Sequence, residues 1–114
     1  MTRGIAARLL DAIEAIDGIK RHTAGLTWAD FEAQEGTQLI VERLVSNIGE
    51  AISKAEDQDE ALGQKIPDIR QIVGARNQIV HGYWDIDPEI LWEIVVDKGP
   101  KLRETLQDLL EEYG

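Results

Sequence analysis

Hydrophobic residues recur along this chain at helical intervals. Ile5, Leu9, Ile13, Ile16 and Ile19 lie 4, 4, 3 and 3 positions apart, which aligns them as one stripe on a helix. The spacing predicts a first helix over about residues 2–20, with Thr2 as its N-cap. A loop around residues 21–26 contains Gly25. Thr27, with Asp30 three positions on, marks a short second helix whose positive end the carboxylate favours. Trp28 and Phe31 are its anchors to the core. Gly36 separates it from a longer helix capped by Thr37, with Ile40, Val41, Leu44, Ile48, Ala51, Ile52 and Ala55 on the buried face. The polar run 56–64 ends that helix. Gly63 marks a loop there, and this run is the segment expected to be most mobile.

Pro67 suits the first turn of a further helix, where its missing N–H costs nothing. Ile69, Ile72, Val73, Arg76 and Val80 continue one face of it down to Gly82, and a turn at residues 83–86 follows. Asp87-Pro88-Glu89 is a helix start of acid cap, proline and first-turn acid. Ile90, Leu91, Ile94 and Val95 are expected to face inward. Gly99-Pro100 breaks or kinks this element, and Leu102, Leu106, Leu109 and Leu110 belong to the last helix. No period-two strand pattern, hairpin signal, internal repeat or long linker competes. The expectation is an all-α, up-and-down bundle of four to five helices forming a single domain over residues 1–114, a length usual for one domain.

Composition narrows the chemistry. There are no cysteines, so disulfides, thiolate catalysis and thiolate zinc sites are excluded. No stretch approaches the roughly 18 to 20 apolar residues of a membrane helix. The N-terminus carries acids and helical spacing where a signal peptide has an uncharged apolar run, so a cytoplasmic protein is expected. A domain this small buries one modest core, so an active site would be shallow or completed by a second subunit. The net charge is −10, which repels bulk nucleic acid. Its distribution is uneven: residues 50–60 carry −4 and residues 65–81 carry +2 before histidine is counted.

The basic stretch holds the one dense polar cluster, Ala75-Arg76-Asn77-Gln78-Ile79-Val80-His81-Gly82-Tyr83-Trp84. On a helix Asn77 and His81 share a face, and Arg76, Val80 and Tyr83 share the neighbouring one, since seven residues return to within about 20°. Histidine titrates near neutrality and can take a proton from a ribose 2′-hydroxyl or give one to a leaving oxygen. Arginine presents a planar fork to a phosphate and stabilises charge as it grows. The pair can thus cleave RNA by internal transesterification without a metal. Asn77 can orient His81 or a phosphate oxygen, and Tyr83 can bond a phosphate or stack on a base. Spacing alone leaves a plainer reading open. His81-Gly82 also fits a helix C-terminus, Arg76 can pair with an acid, and Tyr83 and Trp84 can pack in a core or interface.

Arg76-Asn77-x-x-x-His81-x-Tyr83 resembles the R-x4-H-x-Y signature of the HepT-like branch of the HEPN superfamily. The segment Gly25-Leu26-Thr27-Trp28-Ala29-Asp30-Phe31 is similar to that family's early Gly-Leu-Ser-aromatic stretch, and Ile48-Gly49-Glu50-Ala51 to its Ile-Gly-Glu-Ala helix. Ile66-Pro67 before the motif and residues 87–94 after it match in kind and order, so the likeness covers roughly residues 5 to 110. The resemblance implies a helical homodimer whose arginines and histidines line a common cleft. It implies a metal-independent endoribonuclease needing no cofactor, the toxin of a toxin–antitoxin pair. The implied partner is a nucleotidyltransferase antitoxin that transfers AMP to the motif tyrosine. Carried over, Arg76 and His81 are catalytic, Asn77 and Tyr83 support or bind phosphate, and Tyr83 is the modification site. Asp85 and Asp87 would add negative charge beside the site if turned inward. The alternative is a non-catalytic helical module that binds a nucleotide or a partner.

Of the remaining residues, His22 after Lys20-Arg21 reads as a solvated surface patch. Two separated histidines without shared acids make a metal site improbable. Glu50 reads as a structural partner for an arginine. Trp28, Trp84 and Trp92 read as core or dimer anchors, and Gly74 as a point of close helix packing.

Overall fold

The computed structural model describes residues 4–66 and 87–114. Among them the regular structure is wholly helical, as the periodicity predicts. The elements are α1 (Ile5–Thr23), α2 (Trp28–Ala33), α3 (Glu35–Gln58), a 3-10 turn (Glu60–Lys65), α4 (Pro88–Glu93), a π turn (Ile94–Lys98) and α5 (Gly99–Tyr113).

The stripe on α1 faces the core: Leu9, Ala12, Ile13, Ile16 and Ile19 are buried, while Ile5 is half-buried. The helix starts at Gly4 without a side-chain cap; Thr2, the expected cap, lies outside the described residues. Gly25 turns the chain with φ +77°, a left-handed conformation that side-chain-bearing residues rarely adopt. The start of α2 is a full capping box, with Asp30 N–H donating to Thr27 Oγ1 at 3.2 Å and Thr27 N–H to Asp30 Oδ2 at 3.0 Å.

No loop separates α2 from α3. The chain bends only at Gln34, so Gly36 and Thr37 lie inside α3 rather than before it. The end of α2 is satisfied instead by Gln38, whose Nε2 donates to the carbonyls of Phe31 at 2.8 Å and Glu32 at 3.0 Å. Val41, Val45, Ile48, Ala51, Ile52 and Ala55 form the buried face of α3. Ile40 remains 40% exposed, against expectation, because it lies at the outer edge of that face. α1 and α3 pack side by side, with Gly18 close against Leu44.

Phe31 of α2, Trp28 at its start and Trp92 of α4 join the two short helices. Their ring centroids lie 5.1 Å (Phe31–Trp92) and 6.4 Å (Trp28–Trp92) apart in tilted geometry, the arrangement that ring quadrupoles favour. The core reading of Trp28 and Trp92 is thus the structure's; Trp84 and Gly74 lie outside the described residues.

Gly99-Pro100 does not break the last element. Pro100 has no N–H to donate to the carbonyl four residues back, and the ladder slips at this point: Gly99 N–H reaches Ile94 O, five residues back. The helix runs on through one π turn. A Cβ at Gly99 would lie 2.6 Å from Ile94 O, so this position requires glycine. Leu102, Leu106 and Leu109 are buried. Of the four residues expected inside α4 and its continuation, Leu91 and Ile94 are buried and Val95 is half-buried, but Ile90 is 47% exposed. No helix among the described residues is long and apolar enough to cross a membrane.

Candidate functional site

Arg76, Asn77, His81 and Tyr83 lie outside the described residues, as do Asp85, Pro67 and the helix expected between Pro67 and Gly82. What the structure describes is how the chain is held on either side of them.

On the preceding side, the polar run is helical for most of its length. α3 ends at Gln58, and Asp59 caps the 3-10 turn, with Ala61 N–H donating to its Oδ1 at 3.1 Å. Leu62 is fully buried and Ile66 is 2% exposed. The loop expected around Gly63 is a 3-10 turn whose one large apolar side chain, Leu62, is buried in the core. The turn is also fastened to the last turn of α5. Tyr113 donates its hydroxyl proton to Asp59 Oδ2 at 2.5 Å. Lys65 Nζ donates to Glu112 Oε1 at 2.8 Å and to the Tyr113 oxygen at 3.2 Å. The Tyr113 hydrogen bond, then that from Ala61, holds Asp59 below the usual carboxylate range. The bond to Asp59 pushes the Tyr113 phenol up, and Glu112 raises Lys65.

On the following side, Asp87 accepts from Glu89 N–H at 2.9 Å and Pro88 occupies the first helical position. The carboxylate expected to trouble a phosphate site is thus engaged in capping α4. Leu91, fully buried, fixes that helix to the core.

A separate open groove of about 450 Å³ runs between α1 and α3, lined by Arg8, Asp11, Glu14, Ala15, Leu44, Asn47, Glu50 and Ala51. Arg8 Nε is buried there without a hydrogen-bond partner. Three carboxylates to one guanidinium make this lining a poor cradle for a phosphate. Glu50 pairs with Lys54 at 3.0 Å. Among the described residues no group of three or more histidines or acids is placed to hold a metal ion. On α3, burial pushes Glu42 up.

Sequence reasoning missed the group formed by Asp59, Lys65, Glu112 and Tyr113. Asp59 had a local signal, an acid before a helical turn, but no pattern joins residues about fifty positions apart. It also missed the tie between α1 and α5, where Arg103 Nε and Nη2 donate to Asp17 Oδ1 and Oδ2 at 2.7 and 3.3 Å. The Arg103 hydrogen bond lowers Asp17. His22 is exposed, as expected.

Comparison with known proteins agrees with this architecture. Residues 12–109 match the family model described as "Ribonuclease HepT-like". A probable ribonuclease HepT from Thermococcus cleftensis is 30% identical over 109 residues, covering 96% of this chain and 98% of that one. Two putative RNases from Methanocaldococcus jannaschii are similar. One is 25% identical over 112 residues, covering 96% and 90% of the two chains; the other is 29% identical over 107 residues, covering 92% and 95%. No solved structure matches.

Proposed function

This chain belongs to the HepT-like ribonuclease family, and we propose from that premise that it is a metal-independent endoribonuclease with Arg76 and His81 as its catalytic pair. The observation that carries the reading is the Arg76-x4-His81-x-Tyr83 signature within a family match that spans residues 12–109. His81 takes the proton of a ribose 2′-hydroxyl, and that oxygen attacks the adjacent phosphorus. The 5′-oxygen leaves, protonated by an acid, and a 2′,3′-cyclic phosphate remains. Arg76 holds the phosphoryl oxygens as negative charge develops. Asn77 orients His81 or a phosphate oxygen. DNA, without the 2′-hydroxyl, is not cleaved.

Two copies of the chain complete the cleft. The enzyme is the cytoplasmic toxin of a type VII toxin–antitoxin pair. A nucleotidyltransferase antitoxin silences it by transferring AMP to Tyr83, which places bulk and negative charge beside the phosphate site. Support for these finer points is the motif and the family resemblance.

The test is cleavage of RNA by purified protein in EDTA, beside Arg76→Ala and His81→Ala. Each variant should lose on the order of 10²- to 10³-fold in rate. Equal cleavage by wild type and both variants sinks the assignment. Tyr83→Phe should abolish AMP incorporation by the partner, read by mass spectrometry; an adduct persisting in that variant places the modification elsewhere. The net charge of −10 favours one rival, a non-catalytic module that docks a nucleotide or partner. Binding without cleavage in the same assay would select it.

A further inference from the structure

The chain has 22 aspartates and glutamates against 12 lysines and arginines, so most cations should find a carboxylate. Among the described residues Lys54, Lys65, Lys98, Lys101 and Arg103 do. Arg8, Lys20, Arg21 and Arg43 hold none; Arg8 lines the α1–α3 groove, while Arg21 and Arg43 stand beside the α1–α3 seam. Lys20, Arg21 and His22 form the exposed last turn of α1. Arg21 reaches back over the seam with α3: its Nη2 lies 3.5 Å from the Cβ position at Gly18, and Leu44 Cδ1 lies 3.2 Å from the same point. Arg43, next to Leu44, is exposed beside that seam.

Cations in a last turn also serve their own helix by facing its dipole. That accounts for Lys20 and Arg21 but not for Arg43, which lies well inside α3. Nor does it account for Asp17. This acid stands three and four residues before Lys20 and Arg21, the spacing of ordinary helical ion pairs, yet both of its oxygens turn to Arg103 on α5. Asp17 accepts its hydrogen bonds from Arg103 and keeps only a longer-range attraction to Arg21 and Lys20. A cluster of unpaired cations in so acidic a protein sets the direction from which a polyanion can approach.

We propose that Lys20, Arg21 and Arg43, with His22, form a docking corner for the RNA backbone, separate in sequence from the Arg76–His81 segment. The proposal rests on the RNA-cleaving reading for its choice of ligand. The corner takes about two or three phosphates without reading bases, because lysine and arginine at this spacing offer charge and forks to phosphate oxygens and nothing shaped to a base edge.

The test uses the full chain and a fluorescent 2′-O-methyl RNA, which has no free 2′-hydroxyl and survives incubation. Anisotropy gives Kd across a range of KCl concentrations for wild type, Arg21→Gln/Arg43→Gln and the charge-matched Lys54→Gln/Lys101→Gln. The corner variant should weaken binding about five- to tenfold in low salt. It should also lower the slope of log K against log salt by about 1.4, the counterion release of roughly two single-strand phosphate contacts. The matched variant should change both far less. Equal effects in the two double variants, or none in either, would overturn the proposal. Wild-type cleavage of unmodified RNA, measured in parallel, separates the two readings. Cleavage with no corner effect on binding sinks the corner alone; corner-dependent binding with no cleavage sinks the catalytic assignment alone.

Discussion

Arg103, near the start of α5, meets both oxygens of Asp17 on α1 with its planar fork, at 2.7 and 3.3 Å. At the other end of the same helix, Tyr113 and Glu112 are held by Asp59 and Lys65 of the 3-10 turn through three hydrogen bonds shared among four side chains. The first tie is two groups in one fixed geometry. The second is spread over a phenol, an ammonium and two carboxylates, and the ammonium is a point charge that tolerates small shifts. Their consequences differ as well. The first turns both hydrogen-bonding oxygens of Asp17 to Arg103 and leaves Lys20 and Arg21 only its longer-range attraction. The second consumes its own charges and fastens the chain just before residue 67, ten positions from Arg76.

The packing beneath the two ties carries the largest expected effects. Leu62→Ala, under the distal tie, removes a fully buried side chain and should cost about 2–5 kcal/mol in chemical denaturation. Gly99→Ala, at the proximal end, forces a methyl to 2.6 Å from Ile94 O and should cost about 1–3 kcal/mol, as overpacking does. A larger loss from Gly99→Ala than from Leu62→Ala would mean that the proximal end carries more of the fold.

Cutting the ties themselves should matter less for stability and more for function. Arg103→Gln releases Asp17 toward Lys20 and Arg21, so RNA affinity should fall about two- to threefold, the scale of one exposed ion pair. Tyr113→Phe should leave RNA affinity unchanged. Equal responses of the two variants in the anisotropy assay would erase the distinction between the ties.

The smallest effect is on pH dependence. Asp17 and Asp59 both titrate below the usual carboxylate range, through Arg103 and Tyr113 respectively. Each therefore stabilises the fold above the ordinary aspartate value, and that stability is lost as pH falls through the lowered one. Tyr113 is raised by its bond to Asp59, so its contribution is present below the ordinary tyrosine value and lost as pH rises through the raised one. Arg103 is raised as well and keeps its charge throughout. Alkaline denaturation should thus weaken only the distal tie, and wild type should lose more stability than Tyr113→Phe on going from neutral to strongly alkaline pH. Parallel curves for the two proteins would count against the Tyr113–Asp59 bond.

The legible parts of the fold were those governed by local spacing. The α1 stripe, the Thr27–Asp30 box and the Asp87-Pro88 start each depend on residues within a few positions of one another, and each was readable. The misread parts turned on competition at longer range. Gly36 and Thr37 looked like a helix start, but Gln38 satisfies the carbonyls of α2 and lets α3 begin at once. The run 56–64 read as a loop because it is polar, but it forms a 3-10 turn around the buried Leu62. For the candidate site, the motif residues were legible as chemistry, whereas the Asp59–Tyr113 tie and the diversion of Asp17 were not. Both join residues that only tertiary structure brings together.

The π turn at Ile94–Lys98 acts as a phase shifter. It holds one residue more than an α-helical turn would pass through, so every position after Gly99 is rotated by about 100° from where an unbroken helix would present it. The seams on either side of α5 are cut to that shifted phase: Arg103 toward Asp17, Leu102, Leu106 and Leu109 toward the core, Tyr113 toward Asp59. Removing a single residue such as Val96, itself 54% exposed, would take out the extra residue and throw α5 out of step with all three. In this stretch the count of residues matters as well as the identity of Gly99 and Pro100.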